Sequence, residues 1–180
     1  ADYQLAGLIF HELAHQIVYL PGDTSFNESF ATSVEREGMR RWLRQGNQVE
    51  KIIAAEANIL RQQQFVGLIT DYRDRFDSLY KSDLLDEEKR QGKAQLQEDL
   101  RQSYRVLKQD WNGYDGYDNW FSQPLNNAQL ATVTSYNELV PFFNDLLIQS
   151  DNNLDLFFEK VRSVANLDRS DREERLQDYL

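Results

Sequence analysis

The 180-residue chain contains two histidines, and both fall in one short run, His11-Glu12-Leu13-Ala14-His15. Side chains four apart on an α-helix lie on one face, a turn apart. Both imidazoles can therefore reach one metal ion while the glutamate between them addresses a water beside it. Zinc suits this donor set, because it takes imidazole nitrogens and carboxylate oxygens in tetrahedral geometry and its catalytic sites keep one position open. Zinc brings the pKa of its water toward about 7. Glu12 would accept that proton, the hydroxide would attack a polarised carbonyl, and Glu12 would return the proton to the leaving amine. The expected chemistry is metal-assisted hydrolysis of an amide bond in a peptide or protein substrate. The bland alternative is a pair of surface histidines with an ordinary glutamate. It is the weaker one, because these groups interrupt an otherwise apolar helix and would be costly to bury without a partner.

A catalytic zinc needs a third protein ligand. The chain has no cysteine and no further histidine, so that ligand must be a carboxylate. Asn27-Glu28-Ser29-Phe30-Ala31-Thr32-Ser33-Val34-Glu35 follows the turn at Pro21-Gly22-Asp23, which folds a second helix back on the first. Glu28 and Glu35 are seven apart and share a helix face, with 12 and 19 residues between them and His15. Either could meet the histidines.

The elements that must position these groups all read as helices. Tyr3 to Leu20 is apolar almost all round (Leu5, Leu8, Ile9, Phe10, Leu13, Ala14, Ile17, Val18), the pattern of a buried helix rather than a surface one. Pro21-Gly22 stops it. A second helix is expected from Ser25–Asn27 to Arg44, with Phe30, Val34 and Trp42 facing inward and a break at Gln45-Gly46-Asn47. A third runs from Gln48 to Tyr80 and a fourth from Leu85 to Lys108, where Leu96, Leu100, Tyr104 and Leu107 fall about a turn apart. Together, residues 47–108 read as an antiparallel hairpin projecting from the body, a structural or contact element without a catalytic pattern. The aromatic stretch from Trp111 to Phe121, with Gly113, Gly116 and nearby Pro124, reads as a loop. Asn126 and Gln129 offer a capping box for a fifth helix to Gln149, which Pro141 should kink or restart. A sixth helix covers Leu154 to Asn166, and the last dozen residues could add a short tail helix. No strand, internal repeat or low-complexity run is evident. The expected fold class is all-α, a single helical domain over residues 1–180 with an active-site helix pair and the long hairpin within it. Because the chain starts at Ala1 without Met, ten residues before His11 and already in helical pattern, an upstream part of a longer protein is expected to be missing.

Composition narrows the function classes. With 30 acidic and 20 basic residues the net charge is −10, and there is no clustered Lys/Arg excess of the kind phosphate binding needs, so no nucleic-acid partner is expected. No stretch approaches the roughly 18 apolar residues of a membrane span, and the N-terminus carries no basic targeting region. Asp110, Asp115 and Asp118 fail the calcium-loop pattern, since Tyr114 stands at the fifth position and no Glu at the twelfth. The acidic runs Asp86-Glu87-Glu88 and Asp171 to Glu174 read as helix-start charges and solvated faces. Nothing in the sequence sets an oligomeric state.

HELAHQ (residues 11–16) followed by NESFATSVE (27–35) resembles the gluzincin zinc metallopeptidases, and especially their aminopeptidase branch. GLIFHELAHQ, GDTSFNESFATSVEREG, GYDGYDNWF and NNAQLATVTSYNELVPFF together resemble a bacterial aminopeptidase-like family of otherwise unknown function, over most of the chain. The resemblance implies zinc as cofactor, aminopeptidase-like hydrolysis, and a bacterial envelope or periplasmic location. Carried over by motif, it makes Glu28 the third ligand with His11 and His15. The interval usual in gluzincins is longer and closer to that of Glu35, so spacing and motif disagree, and the short turn favours the motif. Glu35 would then hold a histidine ring N–H, a support that metal-bound histidines usually have. Thr32, one turn after Glu28, competes for that role. Related enzymes supply a tyrosine or histidine to the developing oxyanion. With no third histidine, Tyr114, Tyr117 and Tyr136 are the candidates, although Tyr114 and Tyr117 could equally seal a loop with Trp120 and Phe121. The rival from another class is a non-catalytic helical module that keeps a structural or vestigial metal site, or that binds a partner through its long hairpin.

Overall fold

A computed structural model describes residues 2–179; the terminal positions Ala1 and Leu180 lie outside the described residues, and with Leu180 the last residue of the expected tail helix. The described chain is all-α, with no strand. Its helices are α1 (Asp2–Ile17), α2 (Thr24–Gln45), α3 (Val49–Lys81), α4 (Asp86–Asp110), α5 (Asp118–Ser122), α6 (Asn127–Ser135), α7 (Val140–Ile148), α8 (Leu154–Ala165) and α9 (Arg169–Leu176), followed by a 3-10 turn at Gln177–Tyr179.

Contacts divide the chain into two compact units. The first holds the residues up to Ala57 together with those from Ser135 onward; the second is Asn58–Thr134. In the first unit α2 packs against α1 and α7, and α7 packs against α8. Its core is phenylalanine-rich: Phe26, Phe30 and Phe143 are fully enclosed, and Phe157 nearly so. The Phe143 ring lies 5.1 Å from Phe26 and 5.6 Å from Phe30, tilted or edge-on as aromatic quadrupoles prefer. Each such side chain removed from water contributes on the order of 2–3 kcal/mol.

Between α1 and α2 the chain turns at Pro21 and Gly22, whose φ of +82° is natural for glycine. Asp23 caps α2 by accepting from the Phe26 N–H at 3.0 Å. Asn27, itself buried, closes the turn from the other side. Its carboxamide accepts the Leu20 N–H and donates to the Leu20 carbonyl, both at 2.8 Å.

The second unit is built on an antiparallel pairing of α3 with α4. Leu79 lies beside Gly92, and the Tyr72 hydroxyl meets the Ser103 hydroxyl at 2.9 Å, so the two chains run in opposite directions as expected. Phe65, Ile69, Tyr72 and Phe76 from α3 form a core with Leu100 and Tyr104 from α4 and with Trp111, Phe121, Leu125 and Leu130 beyond.

Three expectations need correction. α1 is not buried all round: its buried residues are Gly7 and Ala14, while Leu5, Leu8, Ile9 and Leu13 are exposed by 61%, 54%, 50% and 53%. Within this unit only its α2-facing side is covered, and apolar composition alone could not reveal that. The aromatic stretch is not all loop, because Asp118–Ser122 forms the short α5. Its first residue, Asp118, accepts from the Tyr104 hydroxyl at 2.5 Å and from Lys108 Nζ at 2.6 Å. The expected fifth helix does restart at Pro141: α6 ends at Ser135, residues 136–139 form a turn, and α7 begins at Val140. Pro141 sits in the first turn of α7, where no amide hydrogen is needed. The capping box at Asn126 is half formed: Asn126 accepts the Gln129 N–H at 2.9 Å, while the Gln129 side chain turns to the Trp120 carbonyl at 3.3 Å.

Candidate metal centre

α1 places His11 and His15 on one face, their rings 5.1 Å apart and nearly perpendicular. The Asn27-pinned turn brings the first turns of α2 back against that face. Glu28 meets both histidines, with Oε2 3.2 Å from His11 Nε2 and Oε1 3.9 Å from His15 Nε2. One ligand atom from each of His11, His15 and Glu28 lies within 4.8 Å of the others.

Two turns further along α2, Glu35 reaches a different atom. Its Oε2 lies 3.3 Å from His11 Nδ1, the nitrogen facing away from Glu28. The hydrogen bond to Glu35, together with the charges of Glu35 and Glu28, raises the His11 pKa above the ordinary histidine value against the opposing effect of burial. His15 has no such brace: its Nδ1 is buried without a hydrogen-bond partner.

These donors suit zinc. Tetrahedral bonds of about 2.0–2.2 Å put ligand atoms roughly 3.3–3.6 Å apart. His11 Nε2 is already about that far from Glu28 Oε2 at 3.2 Å, and His15 Nε2 is slightly farther, at 3.9 Å, from the other carboxylate oxygen, Oε1. Both Nε2 atoms face the same carboxylate, and the surrounding side chains include no lysine or arginine to balance it. Two imidazoles and a carboxylate converging on an open space form a divalent-cation donor set.

That space is a cavity of about 740 Å³ lined by His11, Glu12, His15, Glu28 and Glu35 together with Leu8, Gln16, Tyr19 and Tyr136. Glu12 is exposed there, on the same side of α1 as the two histidines. Tyr136 arrives from the turn between α6 and α7, and a polar stripe on α2 holds that turn. Ser25 donates to Glu138, Ser29 accepts the Leu139 N–H at 3.1 Å, Thr32 donates to the Tyr136 carbonyl at 3.4 Å, and Arg36 donates to Asn137 at 3.3 Å. These four recur along one face of α2 at helical spacing.

Of the residues singled out from sequence, His11, Glu12, His15, Glu28, Glu35 and Tyr136 share the cavity. Thr32 supports the Tyr136 backbone and is not among the cavity's lining residues. Tyr117 belongs to the second unit, stacked on Phe65 with centroids 4.1 Å apart, and is not among the cavity's lining residues. Tyr114 is in that unit too, under the Arg61 guanidinium at 4.5 Å. Sequence reasoning missed Leu8, Gln16, Tyr19 and Asn27. Leu8 stands three residues before His11, Gln16 four after Glu12 and Tyr19 four after His15, just beyond the end of α1, so all three were legible from their spacing to the motif. Asn27 had no signal beyond its place next to Glu28.

No curated protein and no solved structure matches the chain. The family model described as "Putative aminopeptidase" matches residues 1–176, a span that takes in both histidines, the three cavity glutamates and Tyr136. On that match the chain belongs to the "Putative aminopeptidase" family.

Proposed function

We propose that the protein hydrolyses peptide bonds with a zinc ion held by His11, His15 and Glu28, in an aminopeptidase-like reaction of gluzincin type. One observation carries the proposal: the three donors converge on the cavity into which Glu12 also opens. Zinc at that position supplies Lewis acidity, lowering the pKa of water toward about 7 and polarising the scissile carbonyl. The protein's own groups do the rest. Glu12 takes a proton from the attacking water and returns it to the departing amine. The Tyr136 hydroxyl donates to the carbonyl oxygen as negative charge gathers there, and Thr32 steadies the backbone that carries it. Glu35 keeps the His11 ring turned with Nε2 toward Glu28. Among the described residues the lining holds three glutamates and no lysine or arginine, which suits a substrate with a free, positively charged amino terminus.

The exposed apolar residues of α1, Leu5, Ile9 and Leu13, favour a second reading: a helical module that binds a partner and keeps the metal for structure. One experiment separates the two. Metal analysis of protein purified without chelator should find close to one zinc per chain, and Glu12→Gln should keep that zinc while cutting hydrolysis of a peptide library about 10²–10⁴-fold. Less than about a tenth of an equivalent of zinc would sink both readings. Equal behaviour of wild type and Glu12→Gln would sink the catalytic one.

A further inference from the structure

We infer that Gly7 is a positioning residue for the metal centre: by lacking a side chain, it makes the space in which the Glu35 carboxylate braces His11. This rests on the zinc site proposed above. Gly7 lies one turn before His11 on the same face of α1 and is buried. A Cβ at Gly7 would stand 3.2 Å from Glu35 Oε1 and 3.3 Å from its Cγ, closer than an ordinary van der Waals contact. The Glu35 side chain therefore lies across the Gly7 backbone, and its other oxygen is then 3.3 Å from His11 Nδ1. That bond is already long, so a displacement of a few tenths of an ångström takes it out of hydrogen-bonding range.

The two imidazoles differ in a way that concentrates this effect on one residue. His15 Nδ1 has no hydrogen-bond partner, so among the described residues the Glu35–His11 bond is the only one made at a histidine Nδ1. Glycine inside a helix is otherwise a liability, because it loses more conformational freedom on folding than alanine. A glycine at this point of α1 is explained by what lies over it.

The test sets zinc affinity against metal-free stability, which a packing defect would move together and this arrangement moves apart. Zinc affinity is measured by competition with a chromogenic chelator, and the Tm of the metal-free protein by circular dichroism, for wild type, Gly7→Ala, Glu35→Gln and the double variant. Glu35→Gln should lose about 10–100-fold in zinc affinity, the usual effect of removing an outer-shell partner. Gly7→Ala should lose at least about fivefold within that limit, while its metal-free Tm stays level or rises, since alanine is the better helix former. On the Glu35→Gln background, Gly7→Ala should change zinc affinity by less than about twofold. Affinity for Gly7→Ala within twofold of wild type overturns the inference, as does an equal loss on both backgrounds or a fall in metal-free Tm that accompanies the loss. A wild-type protein without measurable zinc affinity would instead remove the site on which the inference rests.

Discussion

The two compact units use polar side chains in opposite ways. Beneath the second unit's aromatic cluster, polar groups close on one another. Asp118 takes the Tyr104 hydroxyl and the Lys108 ammonium, Trp111 Nε1 donates to Gln64 at 2.7 Å, and the Arg61 guanidinium lies over the Tyr114 ring. Beside the first unit's phenylalanine core, two imidazoles turn toward a single carboxylate. Two further glutamates line the same cavity, and among the described residues no lysine or arginine joins them. Groups that satisfy each other hold a fold together. Groups that share one unmet requirement are arranged for something from outside, and convergent titratable side chains in a cleft are functional candidates for that reason. Polar substitutions should therefore cost metal binding in one unit and stability in the other.

The largest separation is expected at Glu28. Glu28→Ala removes the carboxylate both Nε2 atoms face, so zinc affinity should fall at least about 100-fold, or roughly 2.7 kcal/mol. Metal-free Tm should change little, because no packed apolar group is lost. An isothermal or chelator-competition titration with a parallel melt tests this. A variant that loses stability but keeps zinc would place Glu28 with the structural groups and undo the contrast.

Asn27 breaks the contrast on purpose, because it serves the site through the fold. Its carboxamide satisfies both backbone groups of Leu20 from a buried position. Asn27→Ala leaves the Leu20 N–H without its partner and the Leu20 carbonyl with the Asp23 N–H alone, at a cost of about 1–3 kcal/mol. Zinc affinity should fall with it, since the turn that aims Glu28 is loosened. Chemical denaturation of the metal-free protein, followed by zinc titration, should show both losses in this one variant. If stability falls and zinc affinity does not, the turn is not what positions Glu28.

How much of this was legible in the sequence depends on distance along the chain. His11, Glu12 and His15 are local: four-residue spacing on a helix fixes their shared face wherever the helix packs. Glu28 and Glu35 were visible as a pair on one face, but their roles depend on how far α2 slides along α1, and the Asn27–Leu20 bonds set that. Tyr136 was one of three tyrosines with similar surroundings in sequence. What selects it for the cavity is the polar stripe Ser25, Ser29, Thr32 and Arg36, whose partners are more than a hundred residues away. The all-α class followed from periodicity, whereas the exposure of α1 did not, because an apolar helix reads alike whether covered on one side or both. The restart of the helix at Pro141 was legible for a local reason. Proline rules out a helix interior at its own position but accommodates a helix start.

In the second unit, Tyr104→Phe removes the hydroxyl held by Asp118 while keeping the ring, whose centroid lies 4.0 Å from that of Phe121. A loss of about 1 kcal/mol is expected, with zinc affinity unchanged within about twofold. A melt and a zinc titration suffice, and a zinc effect as large as the stability effect would erase the distinction between the units.

The smallest effect is one of pH, and its sign follows from Asp118. The Lys108 ammonium and then the Tyr104 hydroxyl hold this carboxyl below the ordinary aspartate value. A group whose folded pKa is depressed binds fewer protons folded than unfolded, so stability rises with pH across that interval. The contribution of Asp118 is therefore complete above its unfolded value of about 3.9 and is lost as pH falls through the lower, folded one. Because the carboxyl is solvent-accessible, the effect is modest and screened by salt. Melts of wild type and Asp118→Asn at low ionic strength should differ at pH 6 and converge as pH falls through the depressed, folded value. A difference that persists at the acid end would mean that Asp118 acts through packing of α5, in which case the second unit's polar groups are not the closed electrostatic set that distinguishes it from the first.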